Sequence, residues 1–156
     1  MEFLMLSRPD MIEHVDVKIT QSETTGIVRQ FFKVEGTIRD FKLHPSNQYV
    51  VILTDGGLYY IFNLAHGDIR GKQKVDASAT KLQLDPSGLY LSIVVGKSKV
   101  QIYELAKGNL ISEIDPDLFQ VSLHQFTGTG AEYLIVDSDK NIVRFYQLDQ
   151  KITSLI

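Results

Sequence analysis

Apolar positions along this chain alternate with polar ones or gather in short blocks, and the spacing of an amphipathic helix is nearly absent. The blocks are rich in Val, Ile, Leu, Tyr and Phe, and clusters of Gly, Pro, Asn, Asp and Ser separate them. This pattern predicts an all-β fold of many short strands. First strands are predicted at 38–43, 80–84 and 119–123, each ending in a polar turn. Second strands follow at 49–53, 90–95 and 133–136. Tight turns come next at Asp55-Gly56-Gly57, Gly96-Lys97-Ser98 and 137–141, where Gly, Asn and Asp supply the positive φ that hairpins need. A third strand then ends in an aromatic residue followed by a polar one, and a second hairpin leads to an outer strand.

The predicted strands recur with a period. Leu43-His44-Pro45-Ser46 matches Leu84-Asp85-Pro86-Ser87 at an offset of 41. Ile61-Phe62-Asn63-Leu64-Ala65 matches Ile102-Tyr103-Glu104-Leu105-Ala106 at the same offset, and Gly67 matches Gly108. A third copy, Phe145-Tyr146-Gln147-Leu148, lies 43 residues beyond the second. Its upstream half is Val121-Ser122-Leu123-His124, followed by a looser Thr127-Gly128-Thr129-Gly130 turn.

A period of roughly 40–45 residues with four strands in each copy is the signature of a β-propeller. The pattern resembles the WD-repeat family. Phe62-Asn63, Tyr103-Glu104 and Tyr146-Gln147 stand where that family carries Trp-Asp, and the chain has no tryptophan. The Gly-His dipeptide before the first strand is also missing, so the family's buried polar network cannot form in its usual way. The resemblance implies a propeller of four-stranded antiparallel blades, with Phe62, Tyr103 and Tyr146 packed between blades. Blades are expected at 37–76, 77–117 and 118–156, preceded by a partial blade at 1–36. That first part holds strands at 2–6, 12–20 and 27–34, which fit the second, third and outer strands of a blade without its innermost one. About fifteen strands result, one short of four blades. Such an arc is expected to be the C-terminal portion of a longer propeller, or to close with blades from another chain.

The resemblance also implies a non-enzymatic scaffold that assembles protein complexes. Partner-facing candidates by blade position are Arg39, Asp55, Lys97 and Asp139. A structural part in a large cytoskeletal or ciliary assembly is a second reading. A propeller-fold enzyme is a third, although the innermost strands carry Arg39, Lys42, Lys81, Gln83 and Ser122 with no convergent acid–base set.

Composition changes this picture little. The chain of 156 residues is 44% hydrophobic and 22% charged, with a net charge of −3 that argues against nucleic-acid binding by the whole surface. One basic stripe stands out: Arg70, Lys72 and Lys74 alternate along a predicted outer strand, suited to an acidic partner or to edge protection. There is no cysteine, which excludes disulfides and thiolate zinc sites and agrees with a cytoplasmic or nuclear location. No apolar run approaches a membrane span, and the N-terminus does not read as a signal peptide.

Candidate chemistry is sparse, and no cofactor or metal is expected. His14, His44, His66 and His124 form no metal-ligand spacing. His44 and His124 are expected at equivalent strand ends, as turn caps or surface residues. Gly128-Thr129-Gly130 lacks the lysine and following helix of a phosphate loop. Asp115 and Asp117 point apart in an extended segment and form no acid–base pair, and Asp137 and Asp139 read as turn-forming carboxylates.

Overall fold

A computed structural model describes residues 1–115, 120–128 and 132–147. Among these residues there is no helix, and all strands fall into four antiparallel meanders. The first sheet holds β1 (Glu2–Arg8), β2 (Met11–Ile19) and β3 (Thr24–Lys33). The second holds β4 (Ile38–Leu43), β5 (Tyr49–Thr54), β6 (Leu58–Asn63) and β7 (Ile69–Lys74). The third holds β8 (Ala79–Leu84), β9 (Tyr90–Val95), β10 (Lys99–Glu104) and β11 (Leu110–Ile114). The fourth holds β12 (Leu123–Phe126), β13 (Glu132–Asp137) and β14 (Ile142–Gln147), and the outer strand expected after Gln147 lies outside the described residues.

The sheets stack face to face. Alternation sends successive side chains of a strand to opposite faces, and in the two middle sheets both faces are covered. In β5, Val50 and Ile52 join a core with Ile12 and Phe32 of the first sheet. Their neighbours Val51 and Leu53 join a second core with Leu82, Leu91 and Ile93 of the third sheet. A third core sets Val94, Val100 and Ile102 against Phe126, Tyr133 and Ile135. This double burial is why β5 reads as an apolar block up to Thr54 and β9 as one broken only at Ser92. The repeat aromatics follow one rule: Phe62 meets Phe32 of the preceding sheet at 5.4 Å between ring centroids, Tyr103 packs on the second sheet, and half-buried Tyr146 packs on the third.

Where the chain crosses from one sheet to the next, the linker is pinned to the sheet it leaves. Three buried valines, Val34, Val75 and Val121, donate their amides to Asp10, Gly57 and Lys97 in the hairpin turn of the sheet being left. The crossing at Val75 needs glycine: Gly57 has φ of 70°, and a Cβ there would lie 2.8 Å from the Val75 carbonyl oxygen. The equivalence also settles the first sheet. Asp10 stands where Gly57 stands, so β1 corresponds to β5 and the first sheet has no strand in the place of β4 among the described residues.

Two expectations change. The first strand of the last sheet is Leu123–Phe126, not 119–123, and Phe119 lies outside the described residues. The marker of that repeat is Val121, which stands 46 residues beyond Val75, whereas Val75 stands 41 beyond Val34; the linker is longer, and alignment on Leu-His slips the register. Likewise, Gly26 belongs to β3, paired with Val17, because the turn closes earlier through the Thr20 amide to the Glu23 carbonyl at 2.8 Å.

One buried bond joins the second and third sheets directly. The Tyr59 hydroxyl donates to the Leu105 carbonyl at 2.6 Å inside the shared core, and burial raises the phenol's pKa well above its ordinary value. Tyr59→Phe leaves that carbonyl without a partner and is expected to cost about 1–2 kcal/mol of stability, read as a lower midpoint in chemical denaturation; an unchanged midpoint contradicts the inter-sheet bond.

Candidate protein-interaction site

The hairpin turns between second and third strands stand on one rim, and those of the first three sheets each accept a backbone bond from the linker that follows. Asp55, Lys97 and Asp139 lie in three successive turns of this rim, and all three are exposed. Asp55 is also structural: its carboxylate accepts the Thr37 amide at 2.9 Å. Arg39 sits on β4, and its guanidinium donates to the Ala79 carbonyl of the next inner strand at 2.9 Å. Lys81 repeats this contact one sheet later, donating to the Ser122 carbonyl at 3.2 Å. The structure thus groups Asp55, Lys97 and Asp139 along the rim and turns Arg39 toward the inter-sheet seam.

The opposite rim carries the turns after first and third strands. His44 caps its turn there: Nδ1 accepts the Ser46 amide at 3.1 Å, and Nε2 donates to the Gly88 carbonyl of the next sheet at 3.0 Å. Asp85 takes over that turn in the third sheet, accepting the amides of Ser87 and Tyr90 while buried. Asn63, standing where the family has aspartate, accepts the amides of Ala65 and His66 and shapes the hairpin. Gln30 and Gln73 donate to the carbonyls of Ala65 and Ala106, a repeated contact whose only sequence trace is two glutamines 43 residues apart.

The basic stripe is largely paired. Arg70 bonds Asp68 at 2.9 Å, and Lys72 bonds Glu35 at 3.2 Å while lying over the Tyr60 ring; Lys74 is exposed beside them. Asp137 is buried and accepts the amides of Gln120, Asp139 and Lys140, so it shapes its own turn. Asp117 and Thr129-Gly130 lie outside the described residues. No cluster of three metal-ligating side chains occurs among the described residues.

His124 departs from expectation. It is neither a turn cap nor a surface residue: it lies within β12 and is only 3% exposed. Its Nδ1 bonds the Tyr133 hydroxyl, which in turn meets Ser92 of the third sheet at 2.6 Å. Donation from Ser92 to Tyr133 and from Tyr133 to a neutral His124 closes the chain of hydrogen bonds. Ser–Tyr–His is therefore a buried polar link between two sheets, assembled from residue types that sequence matching had not aligned.

No family model matches the sequence, and no curated protein matches it. Solved structures do. The β-propeller domain of Cps50 (Swd1) from Myceliophteria thermophila superposes with a TM-score of 0.73 at 12% identity, covering 94% of this chain and 50% of that one. The C-terminal WD40 domain of Sif2 gives 0.69 at 6%, covering 89% and 40%. A functionally unknown protein of Desulfotomaculum acetoxidans gives 0.74 at 16%, covering 95% and 47%. The fold is thus a segment of a WD40-type β-propeller, and the chain spans about half the length of the structures it matches.

Burial, with added repulsion from Lys81 and Lys42, pushes the His124 imidazole down to about 4 from an ordinary 6.5. A depressed histidine binds its proton in the unfolded chain first, so stability holds above pH 6.5 and is lost as pH falls toward 4. Between those values the stability of the native chain should fall relative to a His124→Phe variant. Parallel pH–stability curves for the two would contradict a buried, neutral His124.

Proposed function

We propose that this chain is part of a propeller that works as a non-enzymatic protein-interaction scaffold. The observation that carries this reading is the rim of second-to-third-strand turns. Linker backbone bonds pin the turns of Asp55 and Lys97, the Asp137 carboxylate shapes that of Asp139, and the rim presents all three from successive blades. A rigid scaffold bearing variable turns suits binding, since the ordering cost falls before the partner arrives.

The two ends of the arc support the same reading. On the first sheet the face turned away from the second carries Phe3, Met5, Val28 and Phe31, with Phe31 64% exposed. On the last sheet the outward face carries Leu134, Val136, Val143 and Phe145, with Phe145 64% exposed. By cross-strand pairing these last four occupy the places of Val51, Leu53, Tyr59 and Ile61, which are buried between the second and third sheets. Further blades, from a longer polypeptide or another chain, would cover both ends.

Two experiments follow. With a photo-cross-linking residue in place of Lys97 or Asp139, cross-links to protein partners should form in cells at these sites and not at Ala65 or Ala106 on the opposite rim; the reverse pattern overturns the assignment of the binding rim. In isolated 1–156, the double change Phe31→Glu and Phe145→Glu should suppress self-association in light scattering and move the melting temperature little, as substitutions on an open surface do. Loss of the cooperative melt would show these faces already packed.

A further inference from the structure

The basic stripe on β7 is largely neutralised by Asp68 and Glu35. The cations of the inner strands are not. β4 lies against β8, and β8 against β12, so these first strands form one wall along the inside of the arc. The wall carries Arg39 and Lys42 on β4 and Lys81 on β8, against a single carboxylate, Asp40. A chain with a net charge of −3 therefore has a wall of the opposite sign.

These cations are held in place. The register of β4 shifts at Arg39, and the side chains of Arg39 and Asp40 both reach the third sheet. Arg39 spends one guanidinium N–H on the Ala79 carbonyl, and Lys81 one ammonium N–H on the Ser122 carbonyl. Both residues are exposed, and neither has a carboxylate partner among the described residues. Asp40 cannot neutralise the set. Its two oxygens accept the amides of Phe41 and Leu82, each at 2.9 Å, and Lys42 lies 3.6 Å away, too far for a hydrogen bond. Arg39 and Lys42 are three residues apart on one strand, about 10 Å. Lys81 stands on β8 between Ala79 and Leu82, the residues that Arg39 and Asp40 touch.

The field of the wall reaches into the core. After burial itself, Lys81 and then Lys42 are what keep a proton off His124 on β12. The groups bonded to that imidazole are the hydroxyls of Tyr133 and Ser92, so no carboxylate among them offsets the two lysines.

We propose that this inner wall is a binding site for a compact polyanion of the phosphate class, held by Arg39, Lys42 and Lys81. The site is independent of the scaffold reading above. A guanidinium fork and two ammonium groups suit phosphate oxygens. A di- or triphosphate group carries enough charge to balance three cations beside one carboxylate, whereas a single peptide carboxylate leaves most of them unmatched.

Calorimetric titration of folded 1–156 with sodium tripolyphosphate at low ionic strength should show saturable binding at one site that weakens as salt is added. Lys42→Gln, which breaks no bond between sheets, should weaken it ~10-fold or more. Lys81→Gln should do the same, with a thermal melt showing that the variant folds. Lys74→Gln, on the outer strand, should bind as the native chain does. The ligand should also raise the pKa of His124, read from the onset of its imidazole NMR shift as pH falls, because it offsets the repulsion from Lys81 and Lys42. Equal affinity for adenosine triphosphate assigns recognition to the phosphates alone, and tighter binding assigns their source to a nucleotide; both support the site. Absence of saturable binding to the folded chain overturns the proposal, as does binding that Lys74→Gln weakens as much as Lys42→Gln, or that leaves the titration of His124 unmoved. An oligoglutamate peptide of equal charge that binds as tightly gives the wall to an acidic polypeptide and also overturns it. The two readings fail separately: rim cross-links without tripolyphosphate binding leave the scaffold standing, and tripolyphosphate binding without rim cross-links leaves only the anion site.

Discussion

Every sheet in this chain has two apolar faces, and no sheet can bury either by itself. The rest of the structure follows from that constraint. A four-stranded meander with Val50 and Ile52 on one side and Val51 and Leu53 on the other must stand between two others. Three shared cores result, each assembled from adjacent sheets, and the two outermost faces keep Phe31 and Phe145 in solvent. Stability in such a stack is a sum over neighbours, so the middle sheets are the best supported.

Stacking by apolar faces alone would permit sliding, since hydrophobic contact has no direction. Direction comes from polar groups placed at the seams. Arg39 and Lys81, Gln30 and Gln73, His44, and the hydroxyl of Tyr59 each reach a backbone carbonyl of an adjacent sheet. The last seam uses Ser92, Tyr133 and His124 instead. A chain without tryptophan and without the family's usual network therefore still locks each blade to the next. The exposed turns inherit that rigidity, and this makes them suitable for recognition.

Much of this was legible in the sequence. The offset of 41 residues between the Leu-x-Pro-Ser and Leu-Ala segments exposed the repeat, and alternating blocks placed the strands of the middle sheets, because double burial leaves a strong apolar signal. That the first sheet has three strands among the described residues was also legible, from a strand count. Register failed where the linker lengthened: before Val121 the spacing grew by five residues, so Leu123-His124 matched Leu43-His44 by type and not by place. For that reason His124 looked like a turn cap and proved to be buried. The basic stripe was visible, whereas its partners Asp68 and Glu35 were not, because ion pairs across turns and linkers leave no periodic trace. The seam glutamines went unnoticed for the same reason.

The central claim is an arc of face-packed blades whose first strand, β1, pairs on one side only among the described residues, and amide hydrogen exchange resolves it residue by residue. Met1 and Val17 exchange both backbone bonds, so along β1 the account requires alternation: Phe3 and Met5, bonded to β2, exchange slowly, while Leu4 and Leu6 exchange at rates near those of an unstructured chain. The amides of Val34 and Val75 and of β5 and β9 should be the slowest. Uniform protection along β1, with Leu4 and Leu6 as slow as β9, would mean that the edge is already paired and would contradict the account.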